Sequence, residues 1–396
     1  MKFIAFFEVP VNELNEFLSS WEEQIPIEPD LKILIPPHTL PESYFGITGF
    51  VVLESKEITL VEEYLSKYTE TGIKIKLLPT WKNSKLAKDL NRFKEGRQKA
   101  TSEWEQSKYP PQQVKATKSL KILPIIDWYT SNKELLAETG VSYLIKTDKN
   151  NILFDLGINR DQNDPSPLLH NMSKLGISID DINTIIISHN HGDHTGGGKW
   201  SKKKTFSLTN KQIDLTGKKI YTPVPMTYPE IEPIHSKDPT VICEGVVTIG
   251  TIPNAMFFSD KGYVYEQAAA INVEGKGIVL IVGCGHQTLP KIIERAKSLF
   301  DEPIYGIIGG LHYPVTGGPI EILGMSPYKY LGTGKVPWQH ISKEEVMKNI
   351  GLLRKLDPKI VAISAHDSCP SSLAMFRKSF PDAYRDIRIG EEIVIQ

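Results

Sequence analysis

Residues 184–197 read TIIISHNHGDHTGG. A β-branched apolar run gives way at once to three histidines and an aspartate, His189, His191, Asp193 and His194, and then to glycines. Such a run reads as a buried strand, so the polar string stands where a strand leaves the core. In extended backbone alternate residues face the same way, which points the His189 and His191 rings to one side. Gly192 permits a sharp bend that brings Asp193 and His194 round to a second position. Imidazole and carboxylate suit zinc or a similar divalent ion, and one segment of this kind can serve two metal positions. The fold must therefore bury a strand up to Ile187 and open immediately after it.

The rest of the composition narrows what surrounds this string. With 40% hydrophobic and 23% charged residues over 396 positions, a mostly disordered chain is excluded. Lysine and arginine number 46 against 47 acids, which argues against a uniform binder of polyanions or membrane surfaces. Three cysteines, Cys243, Cys284 and Cys369, make no disulfide framework and point to a reducing compartment. The N-terminal residues carry no cleavable apolar pattern, and no run of 18 apolar residues occurs. The expectation is a cytoplasmic protein with no membrane span.

Three regions differ in character. Residues 1–80 alternate strand and helix signals in the order β-α-β-β-α-β, with helical stripes at Leu14, Phe17, Leu18 and Trp21 and at Leu60, Val61, Tyr64, Leu65 and Tyr68. That order resembles a ferredoxin-like α+β domain, a fold with many functions. Residues 81–118 hold ten lysines and arginines against four acids and read as a basic, solvated helical linker. Residues 119–396 alternate strands and helices and read as an α/β layered domain. Within it, Pro290 opens one helix and the S-x-x-E box of Ser342 and Glu345 opens another. Residues 198–240, with Lys199, Lys202, Lys203, Lys204, Lys218 and Lys219, and residues 314–340, rich in glycine, read as long loops that shape a pocket.

The H-x-H-x-D-H string resembles the signature of the metallo-β-lactamase superfamily. Asp155 in ILFDLG resembles its first motif, and His366 in VAISAHDS its last. The strings EQAAAI, VGCGHQT and IGGLHYP resemble one branch, the dihydropterin-methyl-ribofuranosylaminobenzene-phosphate synthase-like proteins, which are metal-dependent hydrolases by general description. The likeness runs from about residue 120 to the C-terminus. It implies an αββα sandwich for 119–396. It also implies His189, His191 and His286 at one metal, and Asp193, His194 and His366 at a second. Asp155 would position a ligand or the attacking water, and His312 would share protons or contact substrate. Two departures stand out. No histidine occupies the usual third-motif place, which reads YVYEQ, and Cys284 stands where many members carry a bridging aspartate. Cys284 is either a thiolate ligand or a small buried residue in a tight turn. Glu266 either orients a ligand or is an ordinary strand residue. His38, His170, His235 and His340 lack a comparable context and read as non-ligands.

The reading is a metal-dependent hydrolase. One or two zinc ions are expected, with manganese or iron as alternatives, to supply hydroxide at neutral pH. The substrate is a small ester or phosphoester, for which the lysines suit an anionic group. No membrane partner is expected, and neutral charge disfavours nucleic acid. A homo-oligomer follows only by analogy with ferredoxin-like domains. A dihydropterin-type synthase, a nuclease of the same superfamily and a non-catalytic sensor remain the alternatives.

Overall fold

The computed structural model describes residues 2–10, 30–40, 46–55, 60–61, 64–65, 74–80, 83–318, 334–336 and 339–395. Its contacts divide the chain into two compact units, Met1–Lys88 and Asp89–Gln396.

In the smaller unit, β1 (Lys2–Pro10), β2 (Leu31–Leu40), β3 (Gly46–Ser55) and β4 (Lys74–Thr80) form one sheet in the order β2-β3-β1-β4. Every pairing is antiparallel. Strand periodicity puts Phe3, Ala5, Phe7 and Val9 on one buried face, where Val61, Tyr64 and Leu65 of the second expected helical stripe join them. The first expected helix, around Leu14 to Trp21, lies outside the described residues. From the strand order we propose a ferredoxin-like fold for this unit.

Helix α1 (Asn83–Gln106) crosses the division. From Asp89 onward the expected linker is instead part of the larger unit. Phe93 is buried with its ring centroid 5.6 Å from that of Phe257, and the Tyr265 hydroxyl donates to Glu103. Lys88, Lys94 and Lys99 are exposed while Phe93 and Ala100 are buried, which composition alone hides.

The larger unit begins with β5 (Leu120–Ile126), β6 (Ser142–Thr147), β7 (Asn151–Phe154), α2 (Pro167–Lys174), β8 (Thr184–Ile186), α3 (Gly198–Lys202), β9 (Lys219–Thr222) and β10 (Ile234–His235). It continues with β11 (Thr240–Cys243), β12 (Val246–Thr248), β13 (Ile252–Ala255), β14 (Tyr263–Glu266), β15 (Ala269–Val273), β16 (Gly277–Val282), α4 (Leu289–Leu299) and β17 (Ile304–Gly309). It ends with α5 (Lys343–Arg354), β18 (Ile360–Ile363), α6 (Pro370–Ser379) and β19 (Ile393–Ile395). One sheet runs β10-β9-β8-β7-β6-β5-β19 and the other β11-β12-β15-β16-β17-β18.

Side-chain alternation explains how the layers stack. In β16, Val279 and Ile281 point into the core between the sheets, while Ile278, Leu280 and Val282 point the other way onto α4, α5 and α6. In β6, Tyr143 and Ile145 enter the same inter-sheet core, and Leu144 faces outward with Leu168 and Met172 of α2. The result is the expected αββα sandwich. Ser342 and Glu345 form the expected capping box of α5, and α4 carries Pro290 in its first turn.

Residues 198–240 differ from the expected loop. They hold α3, β9 and β10, and Phe206, Leu208, Leu215 and Ile220 are buried against β8 and its neighbours. Lysine and proline dominate the segment's composition, but its few apolar residues are what pack. Residues 319–333 of the other expected loop lie outside the described residues.

Arg295 on α4 is 2% exposed. Its Nη1 donates to the Ile249 carbonyl at 2.9 Å and its Nη2 to the Ser107 hydroxyl at 2.7 Å, with the guanidinium over the Trp104 and Tyr109 rings. These bonds fasten the segment after α1 onto the second sheet's helical layer. Arg295→Leu should cost about 2–3 kcal/mol in urea unfolding, because it leaves buried acceptors unpaired. An unchanged unfolding midpoint would show that the segment is held otherwise.

Candidate metal centre

The parallel pairs β7–β8 and β16–β17–β18 all end at one edge of the sandwich. Crevices at the carboxyl ends of strands are where α/β proteins hold ligands. Asp155 follows β7, and the histidine string follows β8. Cys284 and His286 follow β16, His312 follows β17, and His366 follows β18. Glu266 closes β14 and pairs with His189 as an isolated bridge. All six expected metal-ligating residues therefore meet in one place, together with Cys284.

The donor atoms form three overlapping groups, each with all its atoms within 4.8 Å of one another. They are Asp193, His194, Cys284 and His366; His189, Cys284 and His286; and His189, His191 and Asp193. Cys284 belongs to the first two groups. Its Sγ is 3.0 Å from His194 Nε2 and 3.2 Å from His366 Nε2. His189 Nε2 is 2.9 Å from His191 Nδ1, and His194 Nε2 is 3.4 Å from the Asp193 carboxylate. The His286 ring stands 4.9 Å from His189 and 4.9 Å from His312, centroid to centroid. Four ligands about 2.0–2.3 Å from a tetrahedral ion lie roughly 3.3–3.8 Å from one another, so these spacings fit a divalent ion with only small adjustment.

The outer atoms are as ordered as the inner ones. Asp155 is fully buried, with φ of 62°, and this turn aims its carboxylate back under the string. One oxygen accepts the Ser188 N–H at 2.7 Å. The other meets both the Ser188 hydroxyl and His194 Nδ1 at 2.7 Å. Ser188 Oγ is also 2.9 Å from His189 Nδ1. Glu266, equally buried, accepts the N–H groups of Cys284 and Gly285 with one oxygen, both at 2.9 Å, and so fixes the turn that carries the thiol. Asn254 donates to the His286 carbonyl at 2.6 Å. Asp367 accepts the His312 N–H at 3.0 Å.

Burial sets the electrostatics. It pushes His189 and His366 well below the ordinary imidazole value, and His191 below it, so these rings are neutral with a lone pair to offer. Burial alone would lower His194 too, but Cys284, Asp193 and Asp155 outweigh it and raise that ring well above 6.5. Burial would raise Asp193, and His194 with its neighbouring rings holds it below the usual carboxylate range. Burial pushes the Cys284 thiol well up, and lifts Glu266 to about 7.

His170 bonds the Glu134 carbonyl and His235 that of Pro223, both away from the cluster. The His38 side chain lies outside the described residues. Sequence reasoning missed Asp127, which is fully buried and bonds Ser364 next to His366. The available signal was that Asp127, like Asp155, is an aspartate that ends an apolar strand.

Residues 136–207 match the family model described as Metallo-beta-lactamase superfamily. The chain is 26% identical over 265 residues to a 7,8-dihydropterin-6-methyl-4-(beta-D-ribofuranosyl)-aminobenzene-5'-phosphate synthase of Methanocaldococcus jannaschii, which covers 56% of this chain and 87% of that protein. Among solved structures it is similar to a metal-dependent hydrolase of the beta-lactamase superfamily, with 18% identity and a TM-score of 0.48 over 70% of this chain and 99% of the other. It is also similar to a metallo-beta-lactamase fold protein of Bacillus subtilis, with 13% identity and a TM-score of 0.41 over 70% and 100%. No helix among the described residues is long and apolar enough to cross a membrane.

The chain turns at Gly192 as expected, with the His194 N–H on the His191 carbonyl at 3.1 Å, but without a positive φ, so it is space that calls for glycine here. A Cβ there would stand 2.7 Å from the Gly198 nitrogen and 2.9 Å from its Cα, both backbone atoms. The glycine lets the string lie against the start of α3. Gly192→Ala should destabilise the protein by about 1–3 kcal/mol, read by thermal or urea unfolding, because neither backbone can yield freely. Unaltered stability would mean that the two segments separate at no cost.

Proposed function

From the metallo-β-lactamase superfamily match at residues 136–207, we propose that this protein is a metal-dependent hydrolase of a small ester or phosphoester. One observation carries the reading: seven side chains of metal-ligating type from three strand ends converge, and buried hydroxyl and carboxylate groups hold the far nitrogens of His189, His194 and His366. A ligating histidine is normally held in this way, since the outer bond fixes the tautomer and the ring orientation. Zinc suits the mixed imidazole, carboxylate and thiolate set, with manganese or iron as alternatives.

His189, His191 and His286 would hold one ion, and Asp193, His194 and His366 a second, with Cys284 between them in place of a bridging carboxylate. When bound, such ions supply Lewis acidity and a hydroxide nucleophile near neutral pH. The chain's own groups do the rest. Both Asp155 oxygens are engaged, and Asp155 holds His194 and Ser188 in place. Asp193 is partly exposed and its carboxylate lies 3.4 Å from His194 Nε2. His312 lies beside His286 with its backbone fixed by Asp367, and it moves protons to or from substrate. The lysines expected to attract an anion are partly engaged elsewhere. Lys218 donates to the carbonyls of Ile179 and Ile182, and Lys199 to that of Asn210.

A second reading, a synthase that condenses a dihydropterin with a ribofuranosylaminobenzene phosphate, draws on the 26% identity to the M. jannaschii protein. Assay of that condensation beside a panel of esters, thioesters and phosphoesters separates the two.

His191→Ala should lose bound metal, by elemental analysis of purified protein, and lower hydrolysis at least about 100-fold while unfolding stays cooperative. Full metal content in that variant would overturn the assignment.

A further inference from the structure

Asp127 stands one residue past β5 with no solvent exposure. Its Oδ1 accepts the Trp128 N–H at 2.7 Å. Its Oδ2 accepts both the Tyr143 hydroxyl and the Ser364 hydroxyl, each at 2.7 Å. Ser364 Oγ is in turn 2.7 Å from His366 Nδ1. A serine hydroxyl has one proton to give. With that proton committed to Asp127, the Ser364 oxygen accepts from His366, which places the ring proton on Nδ1. Nε2 then carries the lone pair, and this is the atom that faces Cys284 Sγ at 3.2 Å.

The same logic operates on the other side of the centre. Ser188 Oγ gives its proton to Asp155 and stands 2.9 Å from His189 Nδ1. Two aspartate–serine–histidine relays, Asp155–Ser188–His189 and Asp127–Ser364–His366, thus approach the cluster from different strand ends. Their aspartates both end strands of the first sheet, while Ser364 and His366 come from the second. The Asp127 relay therefore also ties the two sheets together at the edge where the site opens.

We infer that Asp127 is a positioning residue, which acts through the Ser364 hydroxyl to hold His366 in the tautomer that presents Nε2 to the centre. The inference rests on the metal-centre reading for its consequence, but the tautomer itself does not depend on it. Two measurements on the full chain keep these apart. In metal-free protein with ¹⁵N-labelled histidine, His366 should show a protonated Nδ1 and a bare Nε2, and Ser364→Ala should redistribute the tautomers. A protonated Nε2 in the unaltered chain would overturn the relay, whatever the protein does with metal.

The second measurement is titration with cobalt(II) alone, followed by its visible absorption. Ser364→Ala should weaken the binding of one ion by about 10–100-fold, the range typical for loss of such an outer partner. Ser364→Thr, which keeps the hydroxyl, should restore it. Asp127→Asn combined with Ser364→Ala should be no worse than the more damaging single change, because the two act in series. Tyr143→Phe, which removes a different partner of the same carboxylate, should leave cobalt affinity within about twofold. Additive losses, or an equal loss in Tyr143→Phe, would assign Asp127 a merely structural role and overturn the inference. If the unaltered chain binds no cobalt, the metal-centre reading fails, and the histidine nitrogen signals alone decide the relay.

Discussion

A carboxylate with no access to water must find partners or lose its charge, and Asp155 sits at the point where this constraint shapes the site. Its oxygens are satisfied by the Ser188 backbone, the Ser188 hydroxyl and the His194 ring. Those bonds fix the start of the histidine string against the end of β7, and they require β7 and β8 to be parallel neighbours that end together. The glycines on both sides follow from the same closeness: Gly192 lies so near Gly198 that no side chain fits. Burial then lowers the basicity of His189, His191 and His366, and the inward-facing nitrogens are left as neutral donors. The cluster is thus built from the outside inward, with outer hydrogen bonds on the Nδ1 atoms of His189, His194 and His366.

Much of this arrangement was legible because it is local. His189, His191, Asp193 and His194 lie within six residues, where strand periodicity turns His189 and His191 to one side and a bend at Gly192 brings Asp193 and His194 round. Asp155, His286, His312 and His366 were legible for a different reason, since each follows an apolar run and each matches a familiar motif. Asp127 has the same strand-end placement but no motif, and its partner Ser364 lies far away in sequence, so nothing local joined them. Cys284 was ambiguous because a buried cysteine in a glycine turn looks alike whether it ligates or only fills space. Its Sγ lies 3.0 and 3.2 Å from two imidazole nitrogens, which places the thiol inside the cluster.

Errors of reading came from composition. Lysine and proline make residues 198–240 read as a pocket-shaping loop, and basic residues make 81–118 read as a solvated linker. In the first, Phe206, Leu208, Leu215 and Ile220 pack onto the outer face of a sheet. In the second, Phe93 and Ala100 are buried, and Trp104 packs against the second sheet's helical core. A few well-spaced apolar residues outweigh many charged ones, because long charged side chains reach solvent from a packed backbone. In the smaller unit the apolar run Phe3 to Val9 marks a strand, but with Ile4 and Phe6 also apolar it does not tell which face is buried; Phe3, Ala5, Phe7 and Val9 are on that face.

In the proposed metal centre, strand-end histidines, Asp193 and Cys284 hold a divalent ion together. X-ray absorption at the edge of the metal that purifies with the protein tests it most directly. For zinc, the account predicts nitrogen or oxygen scatterers at about 2.0–2.1 Å together with a sulfur scatterer at about 2.3 Å, the latter lost in Cys284→Ser. A first shell of light atoms alone would remove Cys284 from the centre, and protein that retains no metal would contradict the account as a whole.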